Sequence, residues 1–250
     1  MGGAMPYVAV SALSHPGLVR DHNEDSLVVG PWTLCATATR TPQTFVFPLG
    51  DPLVVAVADG IGGQPAGEVA SALVVRQLSA LGPALGGEEA VREAVALCDR
   101  AVYAASDGDP ELTAMGTTVA GAVVLDGSLI SFNVGDSRVF DATGEELRLV
   151  SVDDNPPLPP GMRTSSVLTQ AIGGGGGPGG ILPHVSVQPA GPGARYLVCS
   201  DGLTDPVPEE EVGELLRAHD DGMAVFELWR AAIEAGGPDN ITLALVRIGS

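Results

Sequence analysis

The chain has 250 residues, 45% of them hydrophobic, which is enough to bury one sizeable core. Its formal net charge of −19, from 12 basic and 31 acidic residues, argues against nucleic acid or an anionic membrane surface as a partner, because so few cations cannot neutralise a row of phosphates. No charged or Ser/Pro-rich stretch separates two patterned halves, so we predict one domain over residues 1–250.

The cysteines and the N-terminal residues indicate the compartment. Cys35, Cys98 and Cys199 form an odd set without CxxC spacing, which predicts reduced core thiols and neither disulfides nor a zinc site. The first residues lack the basic-then-apolar order of a secretory signal, and no apolar run has the length of a membrane-spanning helix. We therefore expect a cytoplasmic protein.

Short apolar strands dominate the pattern, with two helical stretches near the middle of the chain and two near its end. Leu53–Ala58 is a continuous apolar run, which is typical of a strand covered on both faces. On the second helix, Val91, Val95 and Val102 recur at helical spacing and leave Asp99 for solvent. The pattern predicts strands over residues 7–14, 26–29, 53–58, 117–125, 128–134, 138–141, 146–150, 195–199 and 241–248, and helices over about 67–81, 88–105, 208–217 and 223–235.

Glycine-containing turns link neighbouring strands into hairpins, at Asp126-Gly127 and at Gly144. Hairpin-linked strands around pairs of helices predict an α+β fold of antiparallel sheets layered with helices. Residues 151–194 break this pattern with a proline cluster, a short helix around Leu168 and a glycine-rich run over 173–180. We expect this interval to be mostly irregular and residues 155–180 to be mobile, because they offer little apolar surface for packing.

Three aspartates stand at the ends of strongly apolar strands: Asp59, Asp201 and Asp239. A carboxylate in such a place is partly desolvated and costs several kcal/mol when unpaired, and few arginines are available to pair with it. Asp-Gly after a strand can also be only a turn signal. If the three strand ends converge, however, Mn²⁺ or Mg²⁺ is the natural partner, because these cations prefer oxygen ligands.

Further acidic motifs extend this set. The segment Arg20–Asp25 offers several oxygen ligands beside an arginine, and a guanidinium can grip two oxygens of a phosphate in a fork that lysine cannot reproduce. Asp136 follows another apolar strand, and Asp205 lies four residues after Asp201, one turn on if that stretch is helical. Each of these signals alone is weak.

In this order, the motifs resemble those of the metal-dependent serine/threonine protein phosphatase family of type 2C, in the form of its bacterial branch. They span nearly the whole chain, and the ordered set is far more specific than any single Asp-Gly. The matching segments are Arg20 with Asn23-Glu24-Asp25, Val57-Ala58-Asp59-Gly60 with Gly62-Gly63, Gly116-Thr117-Thr118, Asn133-Val134-Gly135-Asp136-Ser137-Arg138, Ser200-Asp201-Gly202-Leu203 and Asp239-Asn240-Ile241-Thr242.

The resemblance implies a four-layer α-β-β-α sandwich, in which two mainly antiparallel sheets are flanked by helix pairs. It also implies two core ions, Mn²⁺ or Mg²⁺, in a cleft at one edge. In the family pattern Asp59 bridges both ions and the Gly60 carbonyl binds one of them. Asp201 and Asp239 bind the other.

The same pattern gives roles to five more residues. Glu24 contacts the first ion with Asp25 behind it, and Arg20 holds the substrate phosphate. Asp136 and Asp205 match the ligands of a third, weaker metal. The implied activity is hydrolysis of phosphoserine and phosphothreonine on proteins by a metal-activated water. The implied partners are phosphorylated proteins, such as a bacterial Ser/Thr kinase or its substrates, and we expect a monomer.

Two departures from the family pattern concern the proton donor and the flap. Many relatives have a histidine after the Asp-Gly where this chain has Ile61, so the proton for the leaving oxygen comes from water or another group, His22 being one candidate. Residues 151–194 occupy the interval of the family's flap but lack room for its usual pair of helices. We predict a reduced flap that affects substrate selection and holds none of the core metal ligands.

Three other interpretations compete with a phosphatase of this kind. A non-catalytic relative would bind phosphoproteins or switch partners without hydrolysis. A calcium-binding module would need regular, close acidic spacing, which the chain lacks. A thiol phosphatase would need a cysteine followed by five residues and an arginine, and Cys35 to Arg40 misses this by one residue.

Overall fold

The central strands send alternate side chains into two different hydrophobic layers, in a computed structural model that describes residues 5–62, 66–113, 115–157, 167–174 and 177–250. On the strand Leu53–Ala58, Val54 and Ala56 pack against two helices, while Val55 and Val57 face a second sheet. The continuous apolar run follows from this double coverage, because neither face of the strand meets water.

The described residues form fifteen strands and five α-helices. In chain order these are β1 (Tyr7–His15), β2 (Ser26–Val29), β3 (Trp32–Cys35), β4 (Gln43–Pro48), β5 (Leu53–Ala58), β6 (Gly60–Ile61), α1 (Ala66–Leu81), α2 (Glu88–Ser106), β7 (Gly116–Thr117), β8 (Val119–Leu125), β9 (Ser128–Val134), β10 (Arg138–Asp141), β11 (Arg148–Leu149), β12 (Ile172–Gly173), β13 (His184–Pro189), β14 (Arg195–Cys199), α3 (Asp201–Thr204), α4 (Glu209–Ala218), α5 (Asp221–Glu234) and β15 (Ile241–Gly249).

Two six-stranded antiparallel sheets pack face to face. One has the order β11-β10-β14-β15-β1-β4 and the other the order β13-β9-β8-β5-β2-β3. Helices α1 and α2 cover the second sheet, and α4 and α5 cover the first. The predicted α+β fold with helix-flanked sheets is therefore confirmed, and its four layers bury three hydrophobic clusters.

A small third sheet, β12-β7-β6, connects the 151–194 interval to the main fold. Gly60 of β6 pairs with Thr117 of β7, and Thr117 pairs in turn with Ile172 of β12. In this sheet β7 lies between β12 and β6, and β6 directly follows Asp59. The 151–194 interval is joined by backbone hydrogen bonds to the edge of the fold where the strand-end aspartates lie.

The interval itself differs from the expectation in two ways. Strand β13 was not predicted, because an edge strand takes its hydrogen bonds from one neighbour, β9, and shows no continuous apolar pattern. The expected helix around Leu168 is wrong, since residues 167–170 are not helical. Residues 158–166 and 175–176 of the segment predicted to be mobile lie outside the described residues, as does Gly63.

Asp99 corrects the sequence interpretation of α2. It was expected to face solvent but is only 1% exposed, and its carboxylate accepts hydrogen bonds from the backbone amides of Gly173 at 3.0 Å and Gly179 at 2.9 Å. Tyr103, one turn further on, donates to the carbonyl of Gly173 at 2.9 Å. Helical spacing alone does not reveal this contact, because the partners are backbone groups of a distant glycine-rich segment.

All three cysteines are free thiols, and Cys98 and Cys199 are buried as predicted, whereas Cys35 is half-buried. Burial raises the pKa of both buried thiols to about 12, so neither supplies a thiolate nucleophile at neutral pH. Among the described helices, none combines the length and apolarity that crossing a bilayer requires.

One carboxylate fastens α5 to the first sheet. Asp221 accepts hydrogen bonds from Arg195 of β14 at 2.8 Å and from Arg247 of β15 at 2.5 and 2.8 Å. Burial alone would raise the pKa of Asp221, but the hydrogen bonds and charges of Arg247 and Arg195 outweigh burial and lower it. Folding therefore favours the ionised form of this side chain.

We predict that Asp221→Asn lowers the free energy of unfolding at pH 7 by about 1.5–3 kcal/mol, the range for hydrogen bonds to charged groups. The difference in the free energy of unfolding between wild type and variant should be fully present above the pKa of an aspartate in the unfolded chain, about 3.9. It should shrink as the pH falls through the lower pKa that Asp221 has in the folded protein. Urea unfolding of both proteins between pH 3 and 7 measures it. Glu234→Gln, which removes an exposed partner of Arg230, is the control and should change little. An Asp221→Asn effect as small as the control's would contradict the prediction.

Candidate metal centre

Asp59 is held at the end of β5 by the threonine pair that joins β7 to β8. The carbonyl of Asp59 accepts hydrogen bonds from the Thr117 hydroxyl at 2.7 Å and the Thr118 amide at 2.9 Å. Its own amide donates to the Thr118 hydroxyl at 3.2 Å. With its backbone fixed on both sides, the Asp59 side chain projects into a cleft at the edge of the sandwich.

The glycines of the two Asp-Gly pairs are required by close packing and not by turns. Neither Gly60 nor Gly202 has a positive φ. A Cβ on Gly60 would stand 2.4 Å from the carbonyl oxygen of Gly67, and one on Gly202 would stand 1.9 Å from that of Asn240. Both distances are far inside van der Waals contact. The interpretation of Asp-Gly as a mere turn signal is therefore wrong here.

The cleft brings together most of the residues that the sequence assigned to one site. Its volume is about 440 Å³. Asp25 lies beneath it and is 1% exposed, while Asp205 lies outside its lining. The cleft is lined by Arg20, His22, Glu24, Asp59, Gly60, Ile61, Gly62, Thr118, Asp136, Leu168, Asp201, Asp239 and Asn240.

Crowding of carboxylates changes their proton affinities. Burial, then the charges of Asp25, Asp201 and Asp239, raise the pKa of Asp59 well above its ordinary value. Burial and neighbouring charges likewise raise the pKa of Asp201 to about 8. Burial raises the pKa of Asp25 to about 6, although hydrogen bonds with Thr242 and Ser200 lower it in part. Carboxylates this close cannot all be ionised without a compensating positive charge.

A buried hydroxyl network orients Asp25 from behind. The Ser200 hydroxyl donates to Oδ2 of Asp25 at 2.8 Å and accepts from the amide of Thr242 at 3.0 Å. The Thr242 hydroxyl meets that of Ser14 at 2.7 Å, and Ser14 Oγ accepts from the Asn23 carboxamide at 2.8 Å. These residues come from the strand ends that also carry the other aspartates, so the network fixes their relative positions.

The donor set fits hard divalent cations. Oδ1 of Asp25 and Oδ1 of Asp201 are buried and have no hydrogen-bond partner among the described residues, although such atoms are costly to leave unpaired. Oxygen donors of this kind are the ligands that Mn²⁺ and Mg²⁺ prefer. Within the described ranges no three acidic, histidine or cysteine side chains already enclose an ion-sized space.

Among the arginines that the structure describes, Arg20 alone lines the cleft. Its Nη2 donates to Oδ2 of Asp239 at 2.7 Å, and its side chain is 56% exposed. The hydrogen bond with Asp239 is the main cause that raises the pKa of Arg20. The guanidinium is therefore at the rim of the acidic cluster, where its other nitrogens can reach an anion that enters from solvent.

Asp136 and Asp205 form an outer acidic pair. The amide of Asp205 donates to the carbonyl of Asp201 at 2.8 Å. This bond confirms the predicted helical turn from Asp201 to Asp205. Burial, then the charge of Asp136, raise the pKa of Asp205 to about 6. Burial also raises the pKa of Asp136, while the Asn155 carboxamide, at 3.2 Å from Asp136 Oδ2, lowers it.

Sequence analysis missed the structural role of Asn240. Its Oδ1 accepts from the amide of Glu24 at 2.8 Å, and its Nδ2 donates to the carbonyls of Pro16 at 3.0 Å and His22 at 2.9 Å. One buried side chain thus fixes the loop of Arg20 and Glu24 beside Asp239. A polar side chain next to an apolar strand start is a signal for such a role, but it does not identify the partners.

A larger groove of about 810 Å³ between the β10–β11 hairpin and α4 is a poorer candidate. It is lined by five glutamates and only two arginines. Arg138 is paired with Asp153 at 2.6 Å and Glu209 at 3.3 Å, and Arg217 donates to the carbonyl of Glu145 at 2.7 Å. Both guanidinium groups are therefore engaged, and the five glutamates of the groove would repel a phosphate.

Comparison with known proteins shows which family the chain resembles. Residues 43–241 match the family model described as protein phosphatase 2C. The serine/threonine protein phosphatase PstP of Mycobacterium tuberculosis is 30% identical over 95% of this chain, which spans only 44% of that relative's length. The serine/threonine phosphatase Stp of Listeria monocytogenes is 30% identical, with 92% of each chain covered.

Solved structures give the same result. The M. tuberculosis phosphatase PstP/Ppp superimposes with a TM-score of 0.81 at 30% identity, over 98% of this chain and all of the other. The catalytic domain of PstP in complex with two manganese ions gives a TM-score of 0.78 at 29% identity, over the same shares.

We predict that Asp201→Asn leaves the metal-free protein at least as stable as the wild type, because it removes one of several repelling carboxylates. Mn²⁺ should raise the melting temperature of the wild type but scarcely that of the variant, since a ligand stabilises only the state that binds it, by about 2.7 kcal/mol at one hundred times its Kd. Calorimetric scans in EDTA and in Mn²⁺ measure both effects.

The control is Asp126→Asn, in an exposed Asp-Gly pair of a hairpin far from the cluster, where Asn-Gly is an equally good turn. It should respond to Mn²⁺ as the wild type does. If Asp201→Asn is destabilised in EDTA and gains the full Mn²⁺ effect, Asp201 belongs to the fold and not to a metal site.

Proposed function

This chain belongs to the protein phosphatase 2C family, and from that membership we propose that it hydrolyses phosphoserine and phosphothreonine esters on proteins, using divalent cations held by the acidic cluster. The observation that carries the proposal is the convergence of Asp59, Asp201 and Asp239 with Arg20 in one cleft. When bound, two cations would supply activation of a water and neutralisation of charge on the phosphoryl oxygens.

The protein's own residues supply position and charge. Asp59, the Gly60 carbonyl, Asp201 and Asp239 would hold the two core cations, with Glu24 beside them. Asp25 lies behind the cluster and is itself held by the Ser200 hydroxyl. Mn²⁺ is supported by the manganese-bound relative. Mg²⁺ as an alternative is our inference from the same oxygen donor set.

Arg20 would bind the phosphate of the substrate. Its guanidinium stands at the mouth of the cleft and is more than half exposed, so a phosphoryl group can reach it without rearrangement of the core. The fork of the guanidinium matches two phosphoryl oxygens, which orients the phosphorus toward the acidic cluster. The pair with Asp239 limits the positions that this side chain can take before substrate arrives.

The proton for the leaving oxygen cannot come from Ile61, which lines the cleft where many relatives have a histidine. His22 is also in the lining, but its Nε2 is engaged with Glu24 at 2.8 Å. A water molecule is the simpler donor, because the cleft is open to solvent beside Arg20. The attack of water on phosphorus breaks the bond to the serine or threonine oxygen and leaves inorganic phosphate, with no phosphorylated protein residue.

A third cation at Asp136 and Asp205 is a separate part of the proposal. The two carboxylates influence each other's charge, and Asp136 also lines the main cleft. The site is more exposed than that of Asp59, so we expect it to bind its cation more weakly.

The partners we propose are phosphoproteins, including a Ser/Thr kinase or its substrates, with the protein acting as a cytoplasmic monomer. The relatives named above are serine/threonine phosphatases, which supports this substrate class. Phosphoproteins that accumulate when the gene is deleted would identify the targets. A non-catalytic phosphoprotein-binding relative is the alternative, and the presence of Asp59, Asp201 and Asp239 in one cleft favours catalysis.

We predict that hydrolysis of p-nitrophenyl phosphate and of phosphothreonine peptides is abolished by EDTA and restored by Mn²⁺. Asp239→Asn should imitate chelation, with a lower Mn²⁺ affinity, a lower kcat/KM and a melting temperature in EDTA near that of the wild type. Steady-state assays and calorimetric Mn²⁺ titration measure these effects. Turnover that survives thorough metal removal would sink the metal-dependent mechanism, whereas Mn²⁺ binding without any turnover would support the non-catalytic alternative.

We predict that Arg20→Ala raises KM, with kcat/KM reduced about ten- to a hundred-fold, the value of one charge-assisted bidentate contact of about 1.5–3 kcal/mol. Mn²⁺ affinity should not fall, because Asp239 loses a competing cation. Arg20→Lys keeps the charge without the fork and should recover only part of the loss. Weaker Mn²⁺ binding with an unaltered KM would assign Arg20 a structural role.

A further inference from the structure

An exposed apolar pair directly precedes Arg20 in the chain. Leu18 is 64% exposed and Val19 is 68% exposed. Among the described residues, no other two large exposed hydrophobic side chains are neighbours in sequence. Single exposed apolar residues are common on protein surfaces, whereas a contiguous group beside a cleft is typical of a binding surface. This pair adjoins the guanidinium that we propose to hold the substrate phosphate.

The other partner of the Arg20 ion pair is also preceded by an apolar residue. Pro238 is exposed and comes directly before Asp239, which accepts the hydrogen bond of Arg20 at 2.7 Å. The amide of Leu18 donates to the carbonyl of Gly237 at 2.8 Å, so the two chain segments lie side by side. Together they present three exposed residues, which we call the apolar rim: Leu18, Val19 and Pro238. None of the three is in the lining of the cleft, so they border it from outside.

The backbone beneath the apolar rim is fixed. Gly17 has a φ of 80°, and a Cβ on it would stand 2.2 Å from the carbonyl oxygen of Asp239. Only glycine fits there, so the two segments are in direct backbone contact. The carbonyl of Pro16 accepts from the Asn240 carboxamide at 3.0 Å, which holds the start of the same turn. Apolar side chains on a fixed backbone lose less conformational freedom when they bind a ligand.

Packing within the fold accounts for part of the Leu18 side chain but not for Val19. A Cβ added to Gly237 would stand 3.1 Å from Cγ of Leu18 and 3.3 Å from Cδ1 of Ile233. One face of Leu18 therefore covers the end of α5. Val19 is the more exposed of the pair and keeps most of its apolar surface available for contact with a ligand.

We infer that the apolar rim binds a hydrophobic side chain of the phosphoprotein, close in sequence to the phosphorylated residue, and that Val19 determines this preference. The inference rests on the proposed function in that Arg20 holds the phosphate. An extended chain advances about 3.3 Å per residue, so a phosphoryl group on Arg20 brings residues about one to three positions away to the rim. Because the rim borders one side of the Arg20–Asp239 pair, the preference is limited to one side of the phosphorylated residue.

The charges near the rim disfavour an acidic occupant. Asp239 lies beside it, Asp21 is exposed directly after Arg20, and the whole chain carries a formal net charge of −19. A carboxylate brought to this place would be repelled, whereas an apolar side chain gains by leaving water. A lysine or arginine attracted by the two aspartates is the competing occupant, and the test includes it.

The test compares phosphothreonine peptides that differ at one flanking position, which carries alanine, valine, leucine, serine or lysine. With the wild type, kcat/KM should rise about two- to fourfold for each added methylene group that the rim covers, on one side of the phosphothreonine only. Val19→Ser should remove most of this dependence on size, and Val19→Ile should keep it. Val19→Thr, which has nearly the shape of valine, should show an intermediate dependence and replaces the serine variant if that one does not fold. The ratio between peptides is the readout, because a general loss of activity does not change it.

The matched control is Val46→Ser on β4. Val46 is 65% exposed and pairs with Ala9 of β1, six residues or about 20 Å from the His15 end of that strand. Its variant should keep the wild-type dependence on side-chain size. Loss of that dependence in Val46→Ser as well would overturn the inference. A preference for lysine over leucine that survives in Val19→Ser would also overturn it, since charge would then select the flanking residue.

A binding measurement separates this inference from the proposed function. If the wild type hydrolyses the peptides without regard to the apolar residue, the inference is overturned and the function stands. If it hydrolyses nothing, fluorescence anisotropy with labelled phosphonate peptides in Mn²⁺ makes the same comparison through Kd. Tighter binding of leucine than serine peptides that is lost in Val19→Ser would support the rim although the function fails. Equal affinities, or no binding, would overturn the inference.

Discussion

Repulsion between carboxylates in one partly desolvated cleft is the constraint on which the rest of the structure depends. Asp59, Asp201, Asp239 and Asp25 stand at strand ends that the sandwich brings together, and the raised pKa values of Asp59, Asp201 and Asp25 record the cost. No lysine occurs in the chain, and in the described part of the structure Arg20 is the one arginine that lines the cleft. The fold therefore holds a site that is electrostatically unfavourable by itself, and divalent cations are the compensation that we propose for it.

Apart from the pair of Arg20 with Asp239, the contacts that oppose this repulsion are uncharged. Threonines of the β7–β8 junction fix Asp59, glycines without a Cβ allow the strand ends to approach, and Asn240 fastens the Arg20 loop beside Asp239. Each of these contacts is a neutral hydrogen bond or a steric fit, so none of them would compete with a cation for the carboxylates. This arrangement explains how stability of the sandwich and affinity for cations can be separated by mutation.

Much of the fold follows from local patterns, and the exceptions have a common cause. Continuous apolar runs identified the central strands, and the 3.6-residue spacing identified α1 and α2 within a residue or two. The patterns failed for the edge strands β3, β4 and β13 and for the environment of Asp99, because each depends on neighbouring elements and not on its own pattern. An edge strand is stabilised by the strand beside it, and a buried carboxylate on a helix is stabilised by amides that only tertiary contact supplies.

The sequence by itself determined the family of the chain and predicted the site residues. Aspartates placed against apolar strands and arranged in a specific order, two of them followed by glycine, indicated both the oxygen-ligand site and the family. Only the tertiary structure decided that the glycines after Asp59 and Asp201 serve close packing, that Arg20 pairs with Asp239, and that the Asn155 carboxamide contacts Asp136. The reason is physical: composition and spacing report which side chains must be compensated, whereas hydrogen-bond partners and steric clearances depend on distances that arise only when separate strands meet.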